Sequence, residues 1–489
     1  MLDYNANSRS RSPTLRPSAD NQYDPEKLPE SMQGDPEVQK ANAEKRKSSK
    51  WQDEAQGDPF GDREEEEGDV KYRTLKWWQC AMIMIAETVS LGVLSLPSVL
   101  AAVGMIGGAI LIVTLGLIAT YSGYVIGQFK VAHPWVHNMA DAFHVLFRPL
   151  GPRAAAVARE FGGAAQTIFL IFSMASHILT WTICLNTLTN SATCTIVWAV
   201  VGLVIFWICD LPRTLLKVSW LSCISFASIL TAVLIAMIAL GVENPSNSQY
   251  RGTAPPGTTF PSAFLAVTNI VFAFAGHVAF FSFISEMQNP KDFPKALVAL
   301  QITDTTIYFI TAMVCYAYAG QDVLSPALGS AGGVVGKIAW GLAIPTIVIA
   351  GVIYGHVASK YVYVRIFRGT KHMRKRTWLA VGSWMGITLV LWVVAFIIAE
   401  SIPNFNDLLA LISSLFASWF TYGISGVFWL FINWGGYGRD WRKMCLTVVN
   451  VGLVVMGGTI CGVGLYASGT AISSERGGGS WTCESNAQY

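Results

Sequence analysis

From Trp77 onward the chain alternates long apolar blocks with short polar breaks. Eleven blocks can be marked, at roughly 77–102, 104–129, 160–185, 194–209, 216–241, 262–284, 298–319, 335–365, 378–399, 405–433 and 444–467. Their lengths suit helices that cross a hydrocarbon layer about 30 Å thick, some of them tilted. Strands of a membrane barrel would be about ten residues long with strict two-residue alternation, and that alternation is missing. The pattern predicts an all-α polytopic membrane protein with 11 transmembrane helices.

Residues 1–72 are different. They are rich in Ser, Pro, Asp, Glu, Lys and Gln and poor in large apolar residues, so they cannot bury enough surface to offset their ordering entropy. They are expected to form a disordered cytoplasmic tail with no secretory h-region. Its acidic run Asp62, Glu64, Glu65, Glu66, Glu67 reads as a solvated segment, with ubiquitin or kinase regulation as an unspecific alternative.

Composition sharpens this division. The 489 residues are 52% hydrophobic and 13% charged, about half the charge of a typical soluble protein. Residues 1–76 hold 17 acids and 13 bases of the chain's 31 and 34, so the remainder is too apolar for a water-soluble enzyme. The bases of that remainder are placed unevenly. With the tail inside, inner loops carry 17 Lys and Arg, including the run Arg365, Arg368, Lys371, Arg374, Lys375, Arg376, whereas outer loops have at most Arg251, Lys337 and Arg476. Positive residues favour the cytoplasmic side, which puts the N-terminus inside and, after an odd number of spans, the C-terminal segment 471–489 outside. Most of the nine cysteines sit in apolar blocks as small hydrophobes. Only Cys184, Cys194 and Cys483 fall near the outer face, where one disulfide among them can form.

Two blocks carry helix-breaking residues. The first contains AETVSLGVLSLP, with Gly92 and Pro97; the sixth contains FAFAGHVAFFSF, with Gly276 and His277, followed by EMQNP. Glycine and proline weaken helices, though both are common in membrane helices as ordinary packing residues. Irregular backbone at membrane depth is tolerated only where it lines protein or water. Interrupted segments at matching positions of two halves point to a midplane substrate site. Spans 1 and 6 are five apart, an odd number, so the second half would be inserted upside down. This gives a 5+5 inverted repeat, about 77–241 and 262–433, with an extra helix at 444–467.

At these residues the chain resembles a known family. SLGVLSLPSVLAAVGMIGG at 90–108 and FAFAGHVAFFSFISEMQNPKDFPKAL at 272–297 are similar to the first- and sixth-span signatures of the amino acid/auxin permease family. The opening WWQCAMIMIAETVSLGVLSLPSVL is most similar to the fungal Mtr-type neutral amino-acid permeases. The resemblance spans about residues 72–470. It implies a LeuT-like fold, alternating access and secondary uptake of a neutral L-amino acid across a lipid bilayer. The membrane would be the plasma membrane, with the vacuolar membrane as the alternative; the default assembly is a monomer.

A zwitterionic substrate needs partners for both charges. Amide groups around Ser90, Leu91 and Gly92 would hold the carboxylate where a helix resumes. Carbonyls near Thr88 and at Phe274, Ala275 and Gly276 would accept from the ammonium. Phe272, Phe274, Phe280 and Trp181 are candidate side-chain contacts, with packing or lipid contact as their ordinary role. Sodium-coupled relatives carry an Asn six residues before the glycine that corresponds to Gly92. Here that position is Ala86, the next residue is Glu87, and the family's Gly-x-Gly is Ser90-Leu91-Gly92. An intramembrane carboxylate is costly and functional by default, and burial favours its protonated form. Glu87 is therefore the expected proton carrier, against the alternative of a neutral, hydrogen-bonded structural Glu. His277 can relay a proton, bind substrate or simply pack. Asp304 and His177 are expected to face the bundle interior, Lys360 and Lys337 to snorkel, and Glu286, Lys291 and Lys295 to form either an inner gate or a solvated loop. No cofactor or metal is expected; the coupling ion would be H+.

Other classes fit less well. AGGVVGKI at 331–338 lacks the leading Gly and final Ser/Thr of a nucleotide loop. His133 and His137 form an HxxxH pair, but the remaining five histidines do not complete a diiron set. The basic loops follow membrane topology, leaving no nucleic-acid face. A nutrient sensor on a transporter fold would look the same through the membrane and is separated from a carrier by saturable flux.

Overall fold

The computed structural model describes residues 73–489 apart from 214, 244–248, 374, 475–479 and 488–489. The expected disordered tail and its regulatory residues lie outside the described residues. Helices follow the apolar blocks: α1 (Trp77–Val103), α2 (Met105–Ala132), a short α3 (Met139–Phe147), α4 (Pro152–Thr189), α5 (Thr195–Cys209), α6 (Leu215–Glu243) and α7 (Phe260–Ala273). They continue as α8 (Phe280–Glu286), α9 (Phe293–Ala319), α10 (Gly333–Phe367), α11 (Trp378–Ser401), α12 (Phe405–Ile412), α13 (Ile424–Ile432) and α14 (Trp441–Ser474). A π-helical stretch, Ser413–Gly423, joins α12 to α13. The described residues contain no strand, only an isolated parallel bridge between Leu75 and Met287.

Ten membrane-length apolar helices are present among the described residues, counting α7–α8 and α12–α13 as one each. The eleventh expected crossing, α5, has only 15 residues. At 1.5 Å per residue it rises about 22 Å, short of the hydrocarbon thickness. Two features escaped the apolar pattern: the separate helix α3, and the start of α4 at Pro152 rather than near 160. The added turns of α4 contain PRAAAVARE, a helix-favouring sequence too polar for a hydropathy criterion.

Burial locates the core. α1 is enclosed, packing on α6, α7, α9 and α10. The outer helices turn apolar side chains outward instead: Ile106, Leu117, Ile238 and Val455 are each at least 60% exposed, as expected of a surface solvated by lipid chains. α14 lies at the periphery against the π-helical stretch and α13. Small residues allow that approach: a Cβ on Gly464 would lie 2.3 Å from the Ser414 hydroxyl, and one on Gly426 would lie 2.4 Å from the Asn450 carbonyl oxygen. Between α1 and α2, Gly104 adopts φ +83°, and a Cβ there would run into the Thr253 backbone. A side chain at Gly104 would be both strained and obstructed.

The segment after α14 folds back onto the helix ends. Cys483 is disulfide-bonded to Cys194 at the start of α5, while Cys184 stays free and buried. Beyond the disulfide, the Asn486 amide donates to the Thr182 hydroxyl (2.9 Å) and its carbonyl accepts from the Asn186 amide (2.8 Å). The Thr195 hydroxyl donates to the Glu484 carbonyl (2.7 Å), and the Trp481 amide donates to the Glu400 carbonyl (3.3 Å). Of the expected candidates, Cys194 and Cys483 thus form the pair. Cutting this tether with Cys483→Ser should free the last residues to protease and lower the melting temperature of the purified protein by roughly 5 °C. An unchanged digestion pattern in Cys483→Ser would show that the hydrogen bonds suffice without the disulfide.

Candidate transport site

The sixth apolar segment is interrupted where its sequence suggested. α7 ends at Ala273, Phe274 and Ala275 leave helical geometry, Gly276–Ala279 form a 3-10 turn, and α8 resumes at Phe280. Breaking the helix releases carbonyls, and nearby side chains take them up. The Tyr308 hydroxyl on α9 lies 2.8 Å from the Ala273 oxygen and 2.7 Å from the Thr88 oxygen on α1, so its single proton can serve either. His277 presents Nδ1 to the Phe274 oxygen (3.2 Å) and Nε2 to the Ala119 oxygen (2.8 Å). A neutral imidazole has one N–H, so only one of these contacts is a hydrogen bond at a time. Both ring nitrogens are thus turned to backbone, one of them to the candidate carbonyl of Phe274.

The first segment departs from expectation. α1 is continuous through Ser90, Leu91, Gly92 and Pro97, and no unwound stretch separates two half-helices. In this conformation the amides of Ser90, Leu91 and Gly92 lie inside the helix and are committed to its own bonds. The local sequence tolerates this because neighbours brace it. The Thr88 hydroxyl donates to the Met84 oxygen (3.0 Å), the Ser95 hydroxyl to the Gly92 oxygen (3.0 Å), and the Ser90 hydroxyl reaches the Thr346 oxygen on α10 (3.5 Å). Gly92 serves close packing rather than unwinding. A Cβ there would sit 2.7 Å from the Tyr308 hydroxyl and 3.0 Å from the Ala273 Cα. The helix therefore meets the sixth-segment break at its glycine, with Thr88, Ala273 and Tyr308 forming the seam.

Two carboxyls are buried beside that seam. Glu87 is 2% exposed and Asp304 is fully buried. Among the described residues neither carboxyl has a well-formed hydrogen bond on either oxygen. A Cβ on Gly276 would lie 2.9 Å from the Thr88 methyl and 3.7 Å from Glu87 Oε2, so the Glu87 carboxyl faces the break itself. The bond from the Tyr308 hydroxyl to the Thr88 oxygen (2.7 Å) holds the turn of α9 that carries Asp304 against the turn of α1 that carries Glu87, and the Tyr354 hydroxyl on α10 lies 3.4 Å from the Glu87 backbone oxygen. The Thr88 hydroxyl is beside Asp304, yet its proton goes to Met84. Asp304 is the member that sequence reasoning underrated. Its signal was present, since a carboxyl within a membrane span is rare, but spacing alone could not bring α9 against α1.

The remaining surroundings are apolar. Phe274 meets Tyr308 edge-on and Phe280 packs on His277 and Phe293. Trp181 lies elsewhere: it packs on Gly202 and Phe206 of α5, its indole donating to the Trp198 oxygen (3.0 Å). Residues 73–470 match the family model described as transmembrane amino acid transporter protein. The chain belongs to this family. An N amino acid transport system protein of Neurospora crassa is 36% identical over 414 residues, 83% of this chain and 86% of its own length. A transmembrane transporter of Gibberella moniliformis is 30% identical over 369 residues, 74% of this chain and 76% of its own length. An amino acid transporter of Arabidopsis thaliana is 23% identical over 416 residues, 80% and 89% of the two chains.

In this transporter the end of α8 is tied to its neighbours by charge and by backbone bonds. Glu286 and Lys360 form a buried ion pair, so Lys360 does not snorkel as expected. The Leu75 amide donates to the Glu286 oxygen (2.9 Å) and the Gln288 amide to the Leu75 oxygen (2.8 Å), fixing the chain before α1 to the end of α8. The Lys130 ammonium reaches the Val136 oxygen and the Ser285 hydroxyl, which also meets His137 Nδ1 (2.8 Å). Lys291 and Lys295 remain exposed, Lys295 pairing with Asp292, and Lys337 is half-buried and donates to Asn190. His133 and His137 have different neighbours: His133 stacks near Phe129 and Phe431. Removing one member of a buried ion pair strands the other charge. Lys360→Met should therefore destabilise the transporter by about 3 kcal/mol, and adding Glu286→Gln should recover most of the loss in thermal melts. Additive destabilisation by the two changes would contradict a buried pair.

Proposed function

We propose that this protein is a secondary transporter that moves neutral L-amino acids together with protons by alternating access. The single observation that carries the reading is the Glu87 carboxyl, buried without an ion-pair or hydrogen-bond partner against the break at Gly276. Such a group is expensive in a membrane interior unless its charge is cancelled or used, and a proton from the outer phase cancels it at each cycle. The family match and the Neurospora relative's name support an amino acid as cargo. The apolar surround of Phe272, Phe274, Ala275 and Phe280 supports an uncharged side chain.

In this reading the described conformation is closed. Tyr308 and His277 occupy the carbonyls of Thr88 and Phe274 that the substrate ammonium would use, together with Ala275 and Gly276. Substrate binding replaces these internal donors, and opening α1 around Ser90, Leu91 and Gly92 exposes amides for the carboxylate. The two halves move as a LeuT-like inverted repeat, with α5 as the short fourth member. The charge bias of the loops supports a cytoplasmic N-terminus, and the disulfide between Cys194 and Cys483 supports an extracytoplasmic outer face.

Radiolabelled uptake into transport-deficient yeast, for a panel of neutral amino acids, tests this. Wild type and Glu87→Gln are compared at pH 5 and pH 7.5, with and without sodium. Saturable uptake should rise several-fold at the acid pH, ignore sodium and lose its pH response in Glu87→Gln. A sodium requirement, or an intact pH response in the variant, would contradict coupling through Glu87. Absence of flux in protein confirmed at the cell surface would contradict transport and favour a sensor.

A further inference from the structure

Proton coupling through Glu87 leaves a second carboxyl unexplained. Asp304 is fully buried on α9, its oxygens lack well-formed hydrogen bonds, and neither it nor Glu87 takes part in an ion pair among the described residues. The titratable groups around the two are Cys80 on α1, Tyr308 on α9 and Tyr354 on α10, with His177 on α4 against the Tyr354 ring and His277 in the break. None of them supplies a fixed positive charge. His177 is bonded to the Ser173 oxygen (2.8 Å) and His277 faces the two backbone carbonyls already described. The buried lysine nearest in sequence to Tyr354 on α10, Lys360, is already paired with Glu286.

Two negative charges in one region of a dry core repel, and among the described residues no ion pair balances either of them. Two protons would remove the repulsion but also every negative charge from the site. One proton leaves a single negative charge, equal and opposite to the charge of an α-ammonium group. We propose that Glu87 and Asp304 act as one two-carboxyl site that binds a single proton between them and keeps one negative charge for the substrate's ammonium group. This rests on the proton-coupled reading above and gives it a stoichiometry. The proton arrives from the outer phase, is shared by the two carboxyls while substrate is bound, and leaves to the inner phase after the ammonium has gone. The cargo class is narrowed as well: a molecule must bring a positive charge to the seam, so an amino acid is accepted and a neutral analogue without the ammonium is refused.

The test compares Glu87→Gln, Asp304→Asn and the double variant in purified protein, measuring neutral amino-acid binding between pH 5 and pH 8. Each single variant holds one permanent carboxyl and should bind with an affinity that no longer varies with pH. The double variant, with no negative charge left, should bind at least 10-fold more weakly than either. If Asp304→Asn keeps the wild-type pH dependence while Glu87→Gln loses it, the shared site is overturned and Glu87 alone is the carrier. If both single variants keep it, the proton-coupled reading falls as well. Infrared difference spectra of the unmutated protein supply a measurement independent of variant folding. Labelling aspartate carboxyls with carbon-13 should shift the protonated-carboxyl band that grows on acidification. A band that moves only with labelled glutamate would overturn the proposal.

Discussion

Everything in this bundle is arranged around unsolvated charge. Two carboxyls, Glu87 and Asp304, lie where helices of a largely apolar core converge, and among the described residues neither forms an ion pair. A globular protein can hydrate such groups or pair them; a membrane core can do neither cheaply. The architecture answers by placing them at a break in the sixth segment, where backbone carbonyls, a tyrosine hydroxyl and an imidazole already form a polar seam. The proposed cargo and coupling proton are placed at this seam because the lipid-facing helices turn apolar side chains outward.

The seam also explains how a local event can reach the end of α8. Tyr308 touches carbonyls of both α1 and α7, so displacing its hydroxyl loosens the contact between the two segments. About two turns of helix further along, α8 ends at Glu286, which is bound to Lys360 by its side chain and to Leu75 by its backbone. The chain before α1 and the end of the sixth segment are thus tied together, as are the two segments at the site.

Much of this was legible in the sequence, and the limits are physical. Apolar block length gave the helical class and most of the crossings, because hydrocarbon thickness fixes helix length. It located α5 almost residue for residue, at 194–209 against Thr195–Cys209, and understated α4, whose first turns are helical but polar. The break at Phe274–Gly276 was readable because Gly276 and His277 sit in the middle of an apolar span, where glycine weakens the helix. The same reasoning failed at Gly92, where glycine serves the close approach of Ala273 and Tyr308 instead. Glycine marks either unwinding or contact, and only the neighbouring helix decides which. Lys360 was misjudged for a similar reason: its partner Glu286 lies 74 residues away in the chain. Asp304 could be noticed but not paired without knowing which helices meet.

The central claim is that a proton, bound in the core beside Gly276, drives an amino acid uphill. Purified protein in sealed, sodium-free liposomes tests it without cellular pumps or alternative carriers. With an alkaline interior and an acidic exterior, a labelled neutral amino acid should accumulate above its outside concentration and collapse to equilibrium when a protonophore is added. Equilibration without accumulation, or accumulation only when sodium is supplied, would contradict the account.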